Sequence, residues 1–207
     1  GGSRHLTRID DPCDSPDEGG WLMASDSLRE RDVNELTVGV VIRALNEEEH
    51  IGRLLVGLKR QTRPPDQVVV VDSGSTDSTV AIAKHMGAHT VHIAAKDFTF
   101  GRSLNVGFEA CTTDIVLVLS AHVYPVFDSC VAHLLAPFSK PNMAVTYGRQ
   151  LGDDRTQFSE SRIMRRWFPE SGSGVQDHPF SNNANACVRR STWDALRYDE
   201  ATTAPIV

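Results

Sequence analysis

No apolar run in these 207 residues approaches the roughly 18 needed to cross a bilayer, and no charged-then-apolar leader opens the chain. The expectation is a cytosolic (cytoplasmic) protein without a transmembrane segment. Cysteine is scarce. Cys13, Cys111, Cys130 and Cys187 form no CxxC and no regular spacing. The last three sit in apolar segments and read as buried thiols in a reducing compartment. An excess of positive charge is missing too. The net charge is −6, no basic face is evident, and no nucleic-acid partner is expected. The glycine fingerprint G-x-G-x-x-G follows neither early strand, which sets a dehydrogenase aside.

What is present is an ordinary globular composition, 40% apolar and 23% charged. The acidity is unevenly placed. Residues 1–36 hold nine acids against four arginines, a balance of −5, and the remainder is near neutral at −1. Asp10 to Gly20 carries five acids, two prolines and two glycines, a poor core former. Residues 1–36 therefore read as an acidic, poorly ordered extension, 37–200 as one domain, and 201–207 as a tail. Trp21, Leu22 and Met23 could dock the extension.

The domain is organised around Val68-Val69-Val70-Val71-Asp72-Ser73-Gly74-Ser75-Thr76-Asp77-Ser78-Thr79. Four consecutive valines predict a strand buried on both faces, as in a parallel sheet. The strand ends in an acid, a glycine and small hydroxyl residues, and open α/β sheets bind ligands at that end. Thr76, Asp77 or Ser78 can cap the following helix. A strand, turn and cap without a ligand is the competing reading. Val38 to Ile42 predicts a second buried strand, followed by Arg43-Ala44-Leu45-Asn46-Glu47-Glu48-Glu49. Asn46 and Glu49 have the spacing of a capping box, and Ile51, Leu54, Leu55 and Leu58 repeat as one helix face. The next helix stops at Gly87. Thr90 to Ile93 predicts a short strand, and Leu104, Gly107, Phe108 and Cys111 predict one face of another helix. The order is that of a doubly wound α/β domain, a mostly parallel sheet with helices on both faces.

Three stretches together carry a resemblance. Val40 to Glu48, the valine run through Thr79, and Phe100-Gly101-Arg102-Ser103-Leu104-Asn105-Val106-Gly107 are similar to family 2 glycosyltransferases. The similarity runs from about Leu36 to about Glu200. It implies the Rossmann-like GT-A fold of nucleotide-diphospho-sugar transferases. It also implies transfer of a sugar from a nucleotide diphosphate sugar donor to an acceptor hydroxyl, usually with inversion. The backbone at Ala44 and Leu45, with Glu47, would line the nucleotide pocket, with Asp77 in the facing loop. Asp72 would accept hydrogen bonds from the base or ribose, which suits a UDP or dTDP donor. Arg102, in the first turn of its helix where a cation is disfavoured, would meet the donor diphosphate or remain solvated. Asn105 and Gly107 would pack that helix on the sheet.

Two positions depart from the family pattern. Where the family ends the strand Ile115–Leu119 in Asp-x-Asp, this chain has Ser120-Ala121-His122. Three readings stay open: His122 ligates a divalent cation, Mn more readily than Mg; Ser120 and His122 meet the diphosphate directly, with Arg102; or the site is inactive. The family also places an acid a few residues past Tyr198-Asp199-Glu200 as general base. Here the chain continues Ala201-Thr202-Thr203, so Asp199 and Glu200 are the substitutes at hand. The alternative function is a non-catalytic nucleotide-sugar-binding or interaction module on the same fold. A sugar nucleotidyltransferase is set aside, because the loop after the first strand has no glycine.

Between these positions the pattern predicts a helix through Val131, Leu134, Leu135 and Phe138 that breaks near Pro137, and a strand from Ala144 to Gly148. Ile163, Met164, Trp167 and Phe168 then mark an apolar stripe beside Arg162, Arg165 and Arg166. Ser171 to Gly174 is a flexible, lid-like stretch, with Asp177 and His178 beyond it. Ser181 to Arg190 resembles the family's Asn-rich strand with paired arginines, and Ser191 is expected to cap a helix containing Trp193 and Leu196.

Overall fold

Strands that are apolar on both faces need a helical layer above and below, and the chain supplies both. The computed structural model describes residues 32–150 and 184–201. In it β1 (Val38–Ala44) leads through α1 (Ile51–Lys59) to β2 (Gln67–Asp72), then through α2 (Thr79–His85) to β3 (His89–His92). The long helix α3 (Phe100–Ala110) crosses back to β4 (Ile115–Ser120). After α4 (Cys130–Leu135) come β5 (Val145–Tyr147), β6 (Asn185–Arg189) and α5 (Arg190–Ala195). The sheet order is β3-β2-β1-β4-β6-β5. The first four strands are parallel, and β6 runs antiparallel to both β4 and β5. The chain reverses its winding direction between β1 and β4, so the carboxyl ends of these two strands flank the crevice where such sheets bind ligands.

The valine runs face in both directions. Val38, Val40, Ile42 and Ala44 of β1, with Ile115, Leu117 and Leu119 of β4, join the core formed with Ile51, Leu54, Leu55 and Leu58 of α1. Val41, Val69, Val71, Val116 and Val118 face the other way, onto Leu104 and Phe108 of α3 and Trp193 of α5. A strand residue alternates faces at each step, so only a continuous apolar run can satisfy both layers. The spacings expected for α1, α2 and α3 hold: all four α1 residues are buried, and Gly87 ends α2 with a φ of 87°. The helix at Val131 ends at Leu135 and passes into a 3-10 turn, Ala136–Ser139, around Pro137.

Several details differ from expectation. Asn46 does not cap α1. It takes a left-handed φ of 54°, and α1 begins only at Ile51 after His50, which makes no side-chain cap. The reason is a competing partner: the Asn46 side chain accepts from Thr76 N–H in the neighbouring loop. Strand β3 ends at His92 rather than Ile93. Ser191 lies inside α5, whose N-cap position is Arg189, and Leu196 is 78% exposed just beyond the helix. Cys111 and Cys187 are buried, whereas Cys130 is half-buried. The expectations for residues 1–31 (Cys13 and Trp21 to Met23 included), the Ile163–Phe168 stripe, Ser171–Gly174, Asp177, His178, Ser181–Asn183 and 202–207 fall outside the described residues.

Gly107 sets how closely α3 approaches β1. A Cβ there would lie 2.3 Å from Val41 Cγ1 and 3.1 Å from Val71 Cγ2. Gly107→Val should therefore lower stability by about 2 kcal/mol or more, since overpacking of this kind typically costs 1–3 kcal/mol. Urea denaturation monitored by circular dichroism is the check, and a midpoint equal to wild type would show that the helix can lift without cost.

Candidate nucleotide-sugar site

The loops that follow β1 and β2 are stitched together. Asn46 N–H donates to Ser75 Oγ at 2.9 Å, and Thr76 N–H donates back to Asn46 Oδ1 at 2.9 Å. Glu47 N–H donates to Thr79 Oγ1 at 2.7 Å, Glu48 N–H to Asp77 Oδ2 at 3.1 Å, and Ser78 N–H to Glu48 Oε2 at 2.9 Å. Ser73 N–H donates to Ala44 O at 3.1 Å. Small polar side chains bond to backbone N–H groups readily when the chain leaves regular structure. Here they do so across a separation of about thirty residues, so each loop is the other's scaffold. Asp77 also accepts from Thr79 N–H at 2.9 Å, at the first residue of α2, whose N-cap position is Ser78 without a side-chain cap. Burial works to raise the Asp77 carboxyl, and the Thr79 and Glu48 hydrogen bonds outweigh it, so its pKa lies below the usual carboxylate value.

Asp72 closes β2 and is only 4% exposed. Its Oδ2 accepts from Gly74 N–H at 3.1 Å and Ser75 N–H at 3.3 Å, while Oδ1 accepts from Ser75 N–H at 3.1 Å. Gly74 makes that curl possible with a φ of 104°. His92, the register partner of Asp72 on β3, places Nδ1 3.1 Å from Oδ2. An ionised carboxylate can only accept, so His92 Nδ1 carries the hydrogen. Burial pushes the Asp72 carboxyl up, but the hydrogen bonds from Ser75, His92 and Gly74 win and hold it below its ordinary value. Oδ1 is the less used oxygen and retains acceptor capacity.

At the switch point Glu47 and His122 meet across the β1 and β4 ends, with His122 Nδ1 3.1 Å from Glu47 Oε1. Leu45 is 52% exposed beside them, whereas Ala44 is buried. Arg53 of α1 stacks on Tyr124, with Cζ 3.5 Å from the ring centroid, and so holds the loop after His122. Arg102 is exposed in the first turn of α3. Thr99 caps that helix, its hydroxyl accepting from Arg102 N–H at 3.0 Å. Among the described residues no three His, Cys, Asp or Glu side chains gather as a metal-ligand cluster.

The segment 198–200 lies against α3. A Cβ on Gly101 would sit 1.9 Å from Asp199 O. Asn105 is the clamp. Its Nδ2 donates to Tyr198 O at 3.0 Å and Glu200 Oε1 at 2.9 Å, and its Oδ1 accepts from Trp193 Nε1 at 3.0 Å and Tyr198 N–H at 3.1 Å. Asp199 and Glu200 are thereby brought to the amino end of α3, which faces the crevice, and both are exposed. The paired arginines serve the backbone: Arg189 donates to Met143, Phe138 and Lys140 carbonyls, and Arg190 to Phe108 O.

Two residues of this region are not singled out by sequence alone. His92 carries one available signal, its position at the end of the strand beside Asp72. Arg43 carries a stronger one, a lone cation between apolar strand residues. It belongs to β1, not to the loop, in register with Val71 and Ser120.

The topology and the loop pair at its switch point define the GT-A fold of nucleotide-diphospho-sugar transferases. The mannosyltransferase PcManGT from Pyrobaculum calidifontis, solved with GDP-Man and Mn2+, matches with a TM-score of 0.62 at 18% identity, over 88% of this chain and 52% of its own. Glucosyl-3-phosphoglycerate synthase from Mycobacterium tuberculosis, solved with UDP, matches with a TM-score of 0.56 at 23% identity, over 86% of this chain and 64% of its own. Residues 39–192 match the profile of Glycosyl transferase family 2, and the chain belongs to that family. The O-antigen chain rhamnosyltransferase RfbN of Salmonella typhimurium is 29% identical over 173 residues, 78% of this chain and 55% of the relative. The chain spans about half the length of the rhamnosyltransferases it matches. No helix among the described residues is long and apolar enough to cross a membrane.

The Asp72 geometry generates a pH test. Its folded pKa lies below the unfolded carboxylate value of about 3.9, so its contribution is complete above that value and is lost as pH falls through the folded pKa. Asp72→Asn should lower stability at pH 7 by about 1–3 kcal/mol, the usual worth of hydrogen bonds to a charged group. The gap between variant and wild type should narrow towards pH 3. Thermal melts across that range decide it; a gap independent of pH would show that the charge is not what the loop uses.

Proposed function

We propose that this chain carries the donor-binding part of a family 2 glycosyltransferase, which moves a sugar from a nucleotide diphosphate sugar to an acceptor hydroxyl with inversion. The observation that carries the reading is the stitched loop pair with a nearly buried Asp72 at the end of β2, in register with Ala44. Asp72 Oδ1 would accept the N–H of a uracil or thymine ring, which favours a UDP- or dTDP-linked donor. The Ala44–Leu45 backbone and Glu47 would line the nucleoside, with Asp77 holding the loop in shape. Arg102 and His122, with Ser120 behind, would face the diphosphate. The acceptor oxygen attacks the anomeric carbon, the bond from that carbon to the diphosphate oxygen breaks, and the electron pair leaves with the nucleotide. The acceptor proton passes to a carboxylate, for which Asp199 and Glu200 are the candidates. Both already accept a hydrogen bond, Glu200 from Asn105 Nδ2 and Asp199 from Ala201 N–H.

A divalent cation of the Mg class takes about six oxygen ligands. The strand ends here offer one carboxylate, Glu47, and one imidazole, His122, a pair that suits Mn better than Mg and is short of either shell. No step is assigned to a metal. The lack of a carboxylate at the β4 end, Ser120-Ala121-His122, favours a second reading, a nucleotide-sugar-binding module without turnover.

Titration calorimetry of UDP, dTDP and GDP, each with Mn2+ and with chelator, tests donor binding. UDP or dTDP is expected to bind, and Asp72→Ala to weaken binding about tenfold, the equivalent of 1.4 kcal/mol. Absence of heat with all three nucleotides would sink the proposal. Donor hydrolysis or transfer abolished in Asp72→Ala marks the enzyme, while tight binding without turnover marks the module.

A further inference from the structure

Arg43 is a half-buried guanidinium at the carboxyl end of β1, on the α3 face of the sheet. Its Nη2 makes a long 3.4 Å hydrogen bond to Ser120 Oγ, and its Cζ lies 5.0 Å from the Phe100 ring centroid. Its Nε is buried with no hydrogen-bond partner. Among the described residues no ion pair joins it to a carboxylate. Its electrostatic neighbour is Tyr198, whose phenol burial pushes up to about 12, so the ring is neutral at physiological pH. Burial also pulls the Arg43 pKa down. Withdrawing a cation from water is costly, and among the described residues only the long Ser120 hydrogen bond and the Phe100 ring offset it. A guanidinium without a counter-ion is instead suited to bind an oxyanion in a two-pronged fashion.

Its position names the anion. Arg43 is the register partner of Ser120, and Ala121 N–H donates to Arg43 O at 3.2 Å. The charge is therefore fixed at the first residue of the Ser120-Ala121-His122 triplet, at the switch point. We propose that Arg43 binds the diphosphate of the donor and supplies the positive charge that a divalent cation would otherwise bring. This rests on the donor-binding reading above and adds a residue and a charge source to it. Ser120 orients the guanidinium from one side and Phe100 supports its plane from the other. Because the charge is covalently part of β1, diphosphate binding is insensitive to chelator.

The test is titration of inorganic pyrophosphate, UDP and uridine into the full chain in chelator, for wild type, Arg43→Met and Arg43→Lys, with thermal melts of each unliganded protein. Arg43→Met is expected to bind pyrophosphate and UDP at least about tenfold more weakly, the scale of losing a buried charge-assisted contact, with uridine binding unchanged. Its melting temperature should equal or exceed that of wild type, because an unpaired buried charge has been removed. Arg43→Lys, which keeps the charge, should retain most pyrophosphate affinity, and it carries the test if the methionine variant does not fold. Equal pyrophosphate affinity in wild type and Arg43→Met, or wild-type binding of pyrophosphate only with added Mn2+, overturns the inference. Pyrophosphate binding without binding of UDP, dTDP or GDP overturns the donor reading and leaves the anion site standing.

Discussion

The reciprocal hydrogen bonds between residues 46–48 and 75–79 are the constraint on which the site depends. Each loop leaves its strand with unpaired backbone N–H groups, and each is satisfied by side chains of the other. The Glu47 N–H is half-buried, where a missing partner is costly, and the four exposed bonds add to it in fixing one loop against the other. The left-handed turn at Asn46 follows from this. Its side chain is more useful to Thr76 than to α1, and the helix starts late as a result. Asp72 then sits in a frame bounded on three sides, by its own turn, by the β1 end through Ser73 N–H to Ala44 O, and by His92 from β3.

The two halves of the crevice are built from different chemistry. On the β2 side carboxylates accept from N–H donors and are held below the usual carboxylate range. On the β4 side the arrangement inverts, with a guanidinium and an imidazole at the strand ends and one carboxylate, Glu47, between the halves. A ligand with a donor-rich head and an anionic middle matches that gradient. The fold supplies the gradient because adjacent parallel strands end at the same level, so one residue at the end of each strand is enough to set the local charge.

The sheet is legible in the sequence because the middles of β1, β2 and β4 are apolar on both faces to serve two helical layers, and short β-branched runs of that kind suit little but a strand buried on both sides. The helices α1 and α3 are legible for the complementary reason: each has one apolar face. The loop pair is legible as a motif but not as a contact. Nothing in Asn46 taken alone distinguishes an N-cap from an acceptor for Thr76, and local spacing favours the cap. His92 and Arg43 stay hidden because their meaning is set by register. A histidine at a strand end or an arginine near one becomes informative only once the neighbouring strand places Asp72 or Ser120 beside it. Asn105 reads as a residue that packs α3 on the sheet, whereas its four hydrogen bonds go to Trp193, Tyr198 and Glu200, 88 to 95 positions downstream, beyond any local pattern.

That last distance bears on how the chain is made. The parallel set β3-β2-β1-β4 and helix α3 are complete by Ser120, while the strand that pairs with β4 begins only at Asn185. During synthesis the β4 edge and the Phe108 face wait for β6 and Trp193 through more than sixty residues of intervening chain. Long-range pairings of this kind form slowly, and open strand edges recruit other chains. A chain made only as far as Ser120 therefore carries an open β4 edge, and the segment from Asn185 to Glu200 is the piece that covers it.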